Sequence, residues 1–477
     1  MGTIDSRTFL IYQKLKRITK DINTSNKIIC HNYYLFIVLF MKITIGGYQM
    51  IQKWDVVIVG GGLSGFVAAN YLARNDLSIL VLEKGKKLGG RARTDQIRRQ
   101  YFNLGPHALY KRGKAKSILE ELNVQLLGKS PKLGGILVKD SLKYTAPFTF
   151  PSIIKTNFLN WKERMEWANV LIKVVFVNEE KLAQQTFKQW VQKTTSSENI
   201  QALLYLLGRL ATYCHAPEKA SAKIIVSHLK IVISGGVHYL DNGWQTMIDQ
   251  LHNKAVIAGV QIQTHKRVKH IAPLAPDNFK IVLSNDEKIF AKHVICTTGP
   301  HELHHMLGEN SPFAQNDTIT KIIPVKGATF DVALSQLPNP KQLFAMDLKN
   351  PIYFSVHSNY ARLSDDAKGT VMHVFRYHHP DDTIDSKQIK MELEQFLEKI
   401  QPGWKNYEIT SRFLPKITVN QRLPQIGDEQ MLQCSKLGIP GLYIAGDWTS
   451  PNSILSEGAV CSAKEIAEEI LKRRIVF

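Results

Sequence analysis

Past Trp54 the chain carries its sharpest pattern, an unbroken apolar run, Val56-Val57-Ile58-Val59, rich in β-branched residues. Runs of that length and composition form strands covered on both faces, as in a parallel sheet. Glycines end it: Gly60-Gly61-Gly62-Leu63-Ser64-Gly65 follow, and then Val67, Ala68, Ala69, Tyr71 and Leu72 recur at helical spacing. A second apolar run, Ile79-Leu80-Val81-Leu82, comes next. The pattern predicts strand, glycine turn, helix and strand in that order.

Farther along, the period changes. Between about 140 and 225 it is helical, and Phe158, Trp161, Met165, Ala168, Ile172 and Val175 step by three and four residues along one apolar face. That face is expected to pack on the core; the alternative is a lid or channel wall over a lipophilic ligand. Gly235-Gly236 and Gly243-Trp244 precede a helical run to about Ala258. Short strands are predicted at Val260 to Ile262, Val268 to Ile271, Phe279 to Leu283 and His293 to Thr297. From about 305 to 415, strand-like segments such as Ala328 to Leu334 and Val371 to Phe375 accompany one helix near Ser386 to Lys399. No repeat or low-complexity tract interrupts this order.

A length of 477 residues with 44% apolar and 21% charged residues implies a globular chain of more than one structural unit. Its five cysteines, Cys30, Cys214, Cys296, Cys434 and Cys461, lie far apart with no CxxC pair. Neither a disulfide framework nor a metal site is read from them, and a reducing, cytoplasmic setting is expected. The net charge of +20 is spread along the chain without a basic stripe. No nucleic-acid partner is expected; peripheral contact with an anionic membrane is the better reading. No apolar run near the N-terminus reaches the roughly 20 residues that a membrane-spanning helix needs. Residues 1–49 carry seven Lys or Arg, two Asp and no periodic pattern. They are expected to be a non-native or disordered extension. Gly46-Gly47-Tyr48-Gln49-Met50 is also how a purine-rich ribosome-binding site, spacer and start codon would read in frame, which puts the functional start at Met50.

The glycine turn acquires meaning from its setting between strand and helix. Gly60 permits the tight turn, Gly62 lets the backbone approach a pyrophosphate, and Gly65 lets the helix pack close to the strand. Leu63 and Ser64 open that helix, whose free N–H groups and positive dipole end face the phosphates. Glu83 stands directly after the second strand, where a carboxylate accepts hydrogen bonds from both ribose hydroxyls of an adenosine.

Leu88-Gly89-Gly90-Arg91-Ala92-Arg93-Thr94 resembles the GG-R-x-x-T signature of the superfamily of flavin amine oxidases, phytoene desaturases and protoporphyrinogen oxidases. The resemblance implies FAD, bound non-covalently, with Gly90 passing the cofactor and Arg91 beside its phosphates. Gly441 to Thr449, a strand ending in Gly446-Asp447, and the helix opening Ser456-Glu457-Gly458-Ala459-Val460 resemble the second flavin segment. That implies Asp447 at the ribityl chain and Glu457 and Ala459 at the helix end facing the ring. Phe102 to His107, including Gly105, resembles the segment passing the flavin ring, although Asn103 stands where the family often has Asp. Val268 resembles the residue whose backbone meets the adenine, and Gly299 the turn ending the returning strand.

The implied fold is α/β, a Rossmann-like FAD-binding domain of the GR2 type with an inserted α+β substrate domain. FAD-binding parts are expected at 50–130, 226–304 and 416–477, with substrate-domain parts at 131–225 (helical) and 305–415. In this superfamily the flavin accepts the hydride, so the protein mainly positions substrate and excludes water. Two catalytic candidates remain: Lys326, roughly where amine oxidases place a lysine bridging to flavin N5 through water, and His107. A solvated lysine and a structural histidine are the plainer readings. Cys461 falls past the ring-contacting turn, so no covalent link is expected there. The expected activity is an oxidoreductase close to phytoene desaturases, acting on a small lipophilic substrate. The alternatives are an amine oxidase or protoporphyrinogen oxidase using oxygen, and a non-catalytic binder like the GDP-dissociation inhibitors. A chain begun at Met50 is expected to fold and retain flavin like the long one; flavin lost on truncation, read from visible absorbance, would contradict this.

Overall fold

The computed structural model describes residues 53–275, 278–308, 321–366, 369–428 and 438–475; the extension at 1–49 lies outside them. Lys53–Val59 (β1), Leu63–Leu72 (α1) and Ile79–Leu82 (β2) form in the predicted order. β1 lies parallel between β2 and Lys288–Cys296, and Gln261–Gln263 pairs parallel on the far side of β2. Leu442–Ile444 adds a parallel strand to Lys288–Cys296, while Asn278–Leu283 and Val268–Ala275 extend the sheet as an antiparallel meander. One seven-stranded sheet thus collects strands from both ends of the described chain and from its middle. All ten residues of α1 are buried, which explains its small side chains. A Cβ on Gly65 would stand 2.1 Å from the Gly60 carbonyl oxygen. The glycine is therefore what allows the helix to approach the strand.

Between its strands of this sheet, the chain builds a second seven-stranded sheet. Its order is Glu408–Asn420, Val325–Leu334, Thr370–Tyr377, Ile352–Val356, Phe344–Asp347, Ile136–Lys139 and Leu142–Thr145. Alternation sends neighbouring residues to opposite faces. Val374 packs in the core that includes Leu393 and Leu397 of the helix Ser386–Ile400. Phe375 packs in the core shared with Glu198–Thr212 and Ala222–Gly235.

Two further helices belong to the second of those cores, Phe150–Lys155 (α2) and Trp161–Phe176 (α3). A capping box starts α3: Asn160 Oδ1 accepts from the Glu163 amide at 3.0 Å, and the Glu163 carboxylate accepts from the Asn160 amide at 3.0 Å. Here the stripe read from the sequence is corrected. Trp167, Val170 and Val174 form the buried face of α3, whereas Trp161, Met165 and Ile172 are exposed. Two apolar stripes compete on this helix, and the inner one is shorter in sequence terms but meets the core. Phe158 and Ala168 of the stripe read from the sequence do pack on this core, whereas its exposed members Trp161, Met165 and Ile172 are neither core packing nor cavity wall.

A buried ionic network ties the second sheet to a separate two-stranded ribbon. Asp331, fully buried, accepts from His373 Nδ1 at 2.7 Å, Thr329 Oγ1 at 2.6 Å and Arg412 Nε at 3.1 Å. Arg412 also reaches Asp95 at 3.2 Å and donates to the Asn103 carbonyl, on the strand pair Thr94–Ile97 and Gln100–Asn103. Asp331→Ala would leave the buried His373 Nδ1 without its acceptor and Arg412 with only Asp95, among the described residues, as a carboxylate partner. A loss of about 3–5 kcal/mol is expected, read as a lowered urea midpoint at unchanged slope.

Candidate functional site

The strands of the first sheet end along one line, and a cavity of about 1040 Å³ opens there, lined by Gly60, Glu83, Thr297 and Gly446. Ligands of open α/β sheets bind at this edge because the turns leave backbone N–H groups free. Gly62 caps α1 without a side-chain hydrogen bond. A Cβ built on Gly62 meets nothing closer than the Gly89 oxygen at 4.0 Å, so it would fill open cavity space. Glu83 Oε2 accepts from the Gly61 amide at 2.8 Å and Oε1 from the Gly85 amide at 2.7 Å. Each oxygen keeps a lone pair for a further donor. Lys266, Arg267 and Lys269 also line this end and make it positively charged. Drug-sized pockets run to roughly 300–1,000 Å³, so this cavity stands at the large end of ligand sites. The residues present fit FAD.

Gly60, Gly62, Leu63, Ser64, Glu83, Gly90, Arg91, Gly105, Val268, Gly299, Gly446, Asp447 and Ala459 all line the cavity. Arg91 and Asp447 meet directly in a two-pronged ion pair, Nη2 to Oδ1 at 2.7 Å with Nη1 to Oδ2 beside it. The Gln421 amide donates to the same carboxylate at 2.9 Å. Gly65 lies behind the cradle and acts through helix packing. Glu457 is corrected: its buried carboxylate turns away from the cavity and accepts from the Ala115 amide at 3.1 Å, at the start of the helix Lys114–Glu121. Burial raises its pKa.

Of the two catalytic candidates, Lys326 does not line the cavity. Partial burial first, and the nearby Lys416 second, lower its pKa. His107 does line it, but its ring nitrogens lie 2.8 Å from the Gly105 carbonyl and 3.1 Å from that of Arg91. Burial pulls its pKa down to about 4, so the neutral ring donates through one nitrogen at a time and pins two loops. Cys461 lies outside the cavity, and burial pushes its thiol up to about 12.

Sequence reasoning missed the other half of the cavity. Tyr213, Tyr239, Phe344, Tyr353, His357 and Phe375 form its wall on the side of the second sheet. Tyr213 stands at the end of Glu198–Thr212 with φ 61°, and its hydroxyl donates to the Pro106 carbonyl at 2.8 Å. His357 stacks on Tyr239 at 3.9 Å and meets the ring of His373 edge-on at 4.6 Å. Burial, His373 and His107 hold its pKa well below the ordinary range. Strand alternation could have offered Tyr353, Ser355 and His357 as one set, since they are spaced by two.

A sequence model of the flavin-containing amine oxidoreductases matches residues 63–471. UDP-galactopyranose mutase of Mycoplasma genitalium is 31% identical over 111 residues, 22% of this chain and 26% of that protein. Carotenoid 3,4-desaturase of Haloarcula japonica is 44% identical over 52 residues, 11% of this chain and 10% of its own. The chain therefore aligns with only about a quarter and a tenth of these relatives. Among solved structures, a putrescine oxidase triple mutant redesigned at its cofactor site superposes with a TM-score of 0.71. It covers 88% of this chain and 99% of its own at 15% identity, a likeness of fold.

Glu83→Ala removes a charged acceptor for the ribose and frees two backbone amides. Flavin affinity is expected to fall about 10- to 100-fold, from roughly 1.5–3 kcal/mol per charged hydrogen bond, with some loss of apoprotein stability. Gly62→Ala is expected to weaken flavin binding with unchanged stability. Titration of apoprotein with FAD, beside thermal melts, separates the two.

Proposed function

Because the chain belongs to the flavin-containing amine oxidoreductase family and is an FAD-dependent oxidoreductase, we propose that it dehydrogenates a lipophilic small molecule, at or beside a membrane surface. The observation carrying this reading is the wall of the cavity beyond the cofactor cradle. Leu104, Leu210, Val232, Tyr213, Phe344 and Phe375 make it apolar and aromatic, and the charged residues lining that half are Lys111 and Lys132. The carboxylates lining the cavity, Glu83, Glu302 and Asp447, all lie in the cofactor half. A polycationic substrate would find no counter-charge there, whereas a neutral or anionic lipophile buries its surface without penalty.

FAD, when bound, supplies the hydride acceptor. The aromatic wall excludes water and orients the substrate, with the neutral ring of His357 stacked into it on Tyr239. Glu83 and the α1 N-terminus fix the cofactor, and the pair of Arg91 with Asp447 closes the cavity behind it. The aromatic cluster of Tyr213, Tyr353 and Phe375 favours a second reading, oxidation of a monoamine whose cation rests on ring faces. Anaerobic bleaching of bound flavin distinguishes them: polyenes or porphyrinogens are expected to bleach it and monoamines are not. Bleaching by amines alone would overturn the lipophilic reading.

A further inference from the structure

α2 and α3 leave a run of large apolar side chains in solvent: Phe150 is 73% exposed, Ile154 55%, Trp161 66%, Met165 68%, Ile172 58% and Phe176 82%. At about 100° per residue, Trp161, Met165, Ile172 and Phe176 fall within about 60° of one another on α3. Lone exposed apolar residues are ordinary, but a contiguous stripe of this size marks an interaction site.

The surroundings of the stripe select its occupant. Lys155, Lys162 and Lys173 are exposed beside it. The acidic residues of α3 point elsewhere: Glu163 is held by Ser197 at 2.5 Å and Asn199 at 3.1 Å, and Glu166 by Thr195 at 2.5 Å. The rim is cationic, so a second copy docked face to face would set lysines against lysines. An anionic bilayer meets both features, taking the apolar stripe at its interface and the lysines at its headgroups.

The stripe also adjoins the cavity. Phe148, two residues before Phe150, lines the cavity wall. Leu133 lines it too and is exposed, which places a mouth there. Gly135 beside it accepts from the Ala146 amide at 3.0 Å, tying the mouth to the segment that leads into α2. We infer that the protein docks on anionic lipid surfaces through the exposed face of α2 and α3, presenting the cavity mouth to the bilayer. This deepens the membrane clause of the function proposed above and rests on the exposed residues rather than on the substrate.

Co-sedimentation of the flavin-loaded protein with phosphatidylcholine vesicles, with and without phosphatidylglycerol, tests it. Binding is expected to anionic vesicles at low salt and to weaken at high salt as the Debye length shortens. Replacing Trp161, Met165 and Ile172 together by Ser should cut binding at least tenfold while flavin content and melting stay unchanged. Lys162→Glu with Lys173→Glu should remove the preference for anionic lipid. Undiminished binding of the triple variant, no binding at low salt, or a dimer in sedimentation that the triple variant abolishes would each overturn the inference. Flavin bleaching by detergent-dispersed substrates reads the substrate proposal separately.

Discussion

The two-pronged contact between Arg91 and Asp447 joins segments 356 residues apart and closes the cofactor cavity. Its strength comes from geometry: a planar guanidinium and a nearly buried carboxylate share two hydrogen bonds, and the Gln421 amide adds a third to the same group. Neither residue could be there without the sheet. β1 and Leu442–Ile444 both run parallel to Lys288–Cys296, so the turn regions after them emerge on the same edge. Parallel pairing requires crossovers, and the crossovers are where the second sheet and its helices are built.

That arrangement gives one cavity two kinds of wall. The cradle half is backbone amides, glycines and paired charges, suited to phosphates and ribose. The other half comes from the second sheet and its helices, with Phe375 packed edge to face on Tyr213 and tilted against Tyr353. The Arg412 and Asp331 network links the second sheet to the strand pair Thr94–Ile97 and Gln100–Asn103 and holds Asn103, whose side chain in turn accepts from the Trp244 amide at 2.9 Å. Asparagine in place of the family's frequent aspartate therefore has a structural task, bracing the turn before the helix Gln245–Ile257.

α3 shows how burial is decided by context. Both its stripes have the spacing of a core face, yet only Trp167, Val170 and Val174 are fully buried in one. Exposed lysines flank the other, and the chain two residues before α2 forms cavity wall.

Short-range geometry accounts for what the sequence by itself determined. The turn from Gly60 to Gly65, Glu83 after β2, the Gly90-Arg91 turn and Gly446-Asp447 before the last helix are legible because each depends on few neighbouring residues and on backbone that only glycine supplies cheaply. Only the tertiary structure decided the rest. Glu457 and Ala459 share one helix start, but Glu457 turns to the Ala115 amide because a neighbouring helix end lies within reach. Lys326 occupies a strand of the second sheet and His357 directly follows another, and which of them faces the cavity follows from strand order and pairing, which bring together residues far apart in the chain. The aromatic wall, the Asp331 network and the outward stripe of α3 are long-range outcomes of that kind, invisible to periodicity because periodicity reports a face and not what covers it.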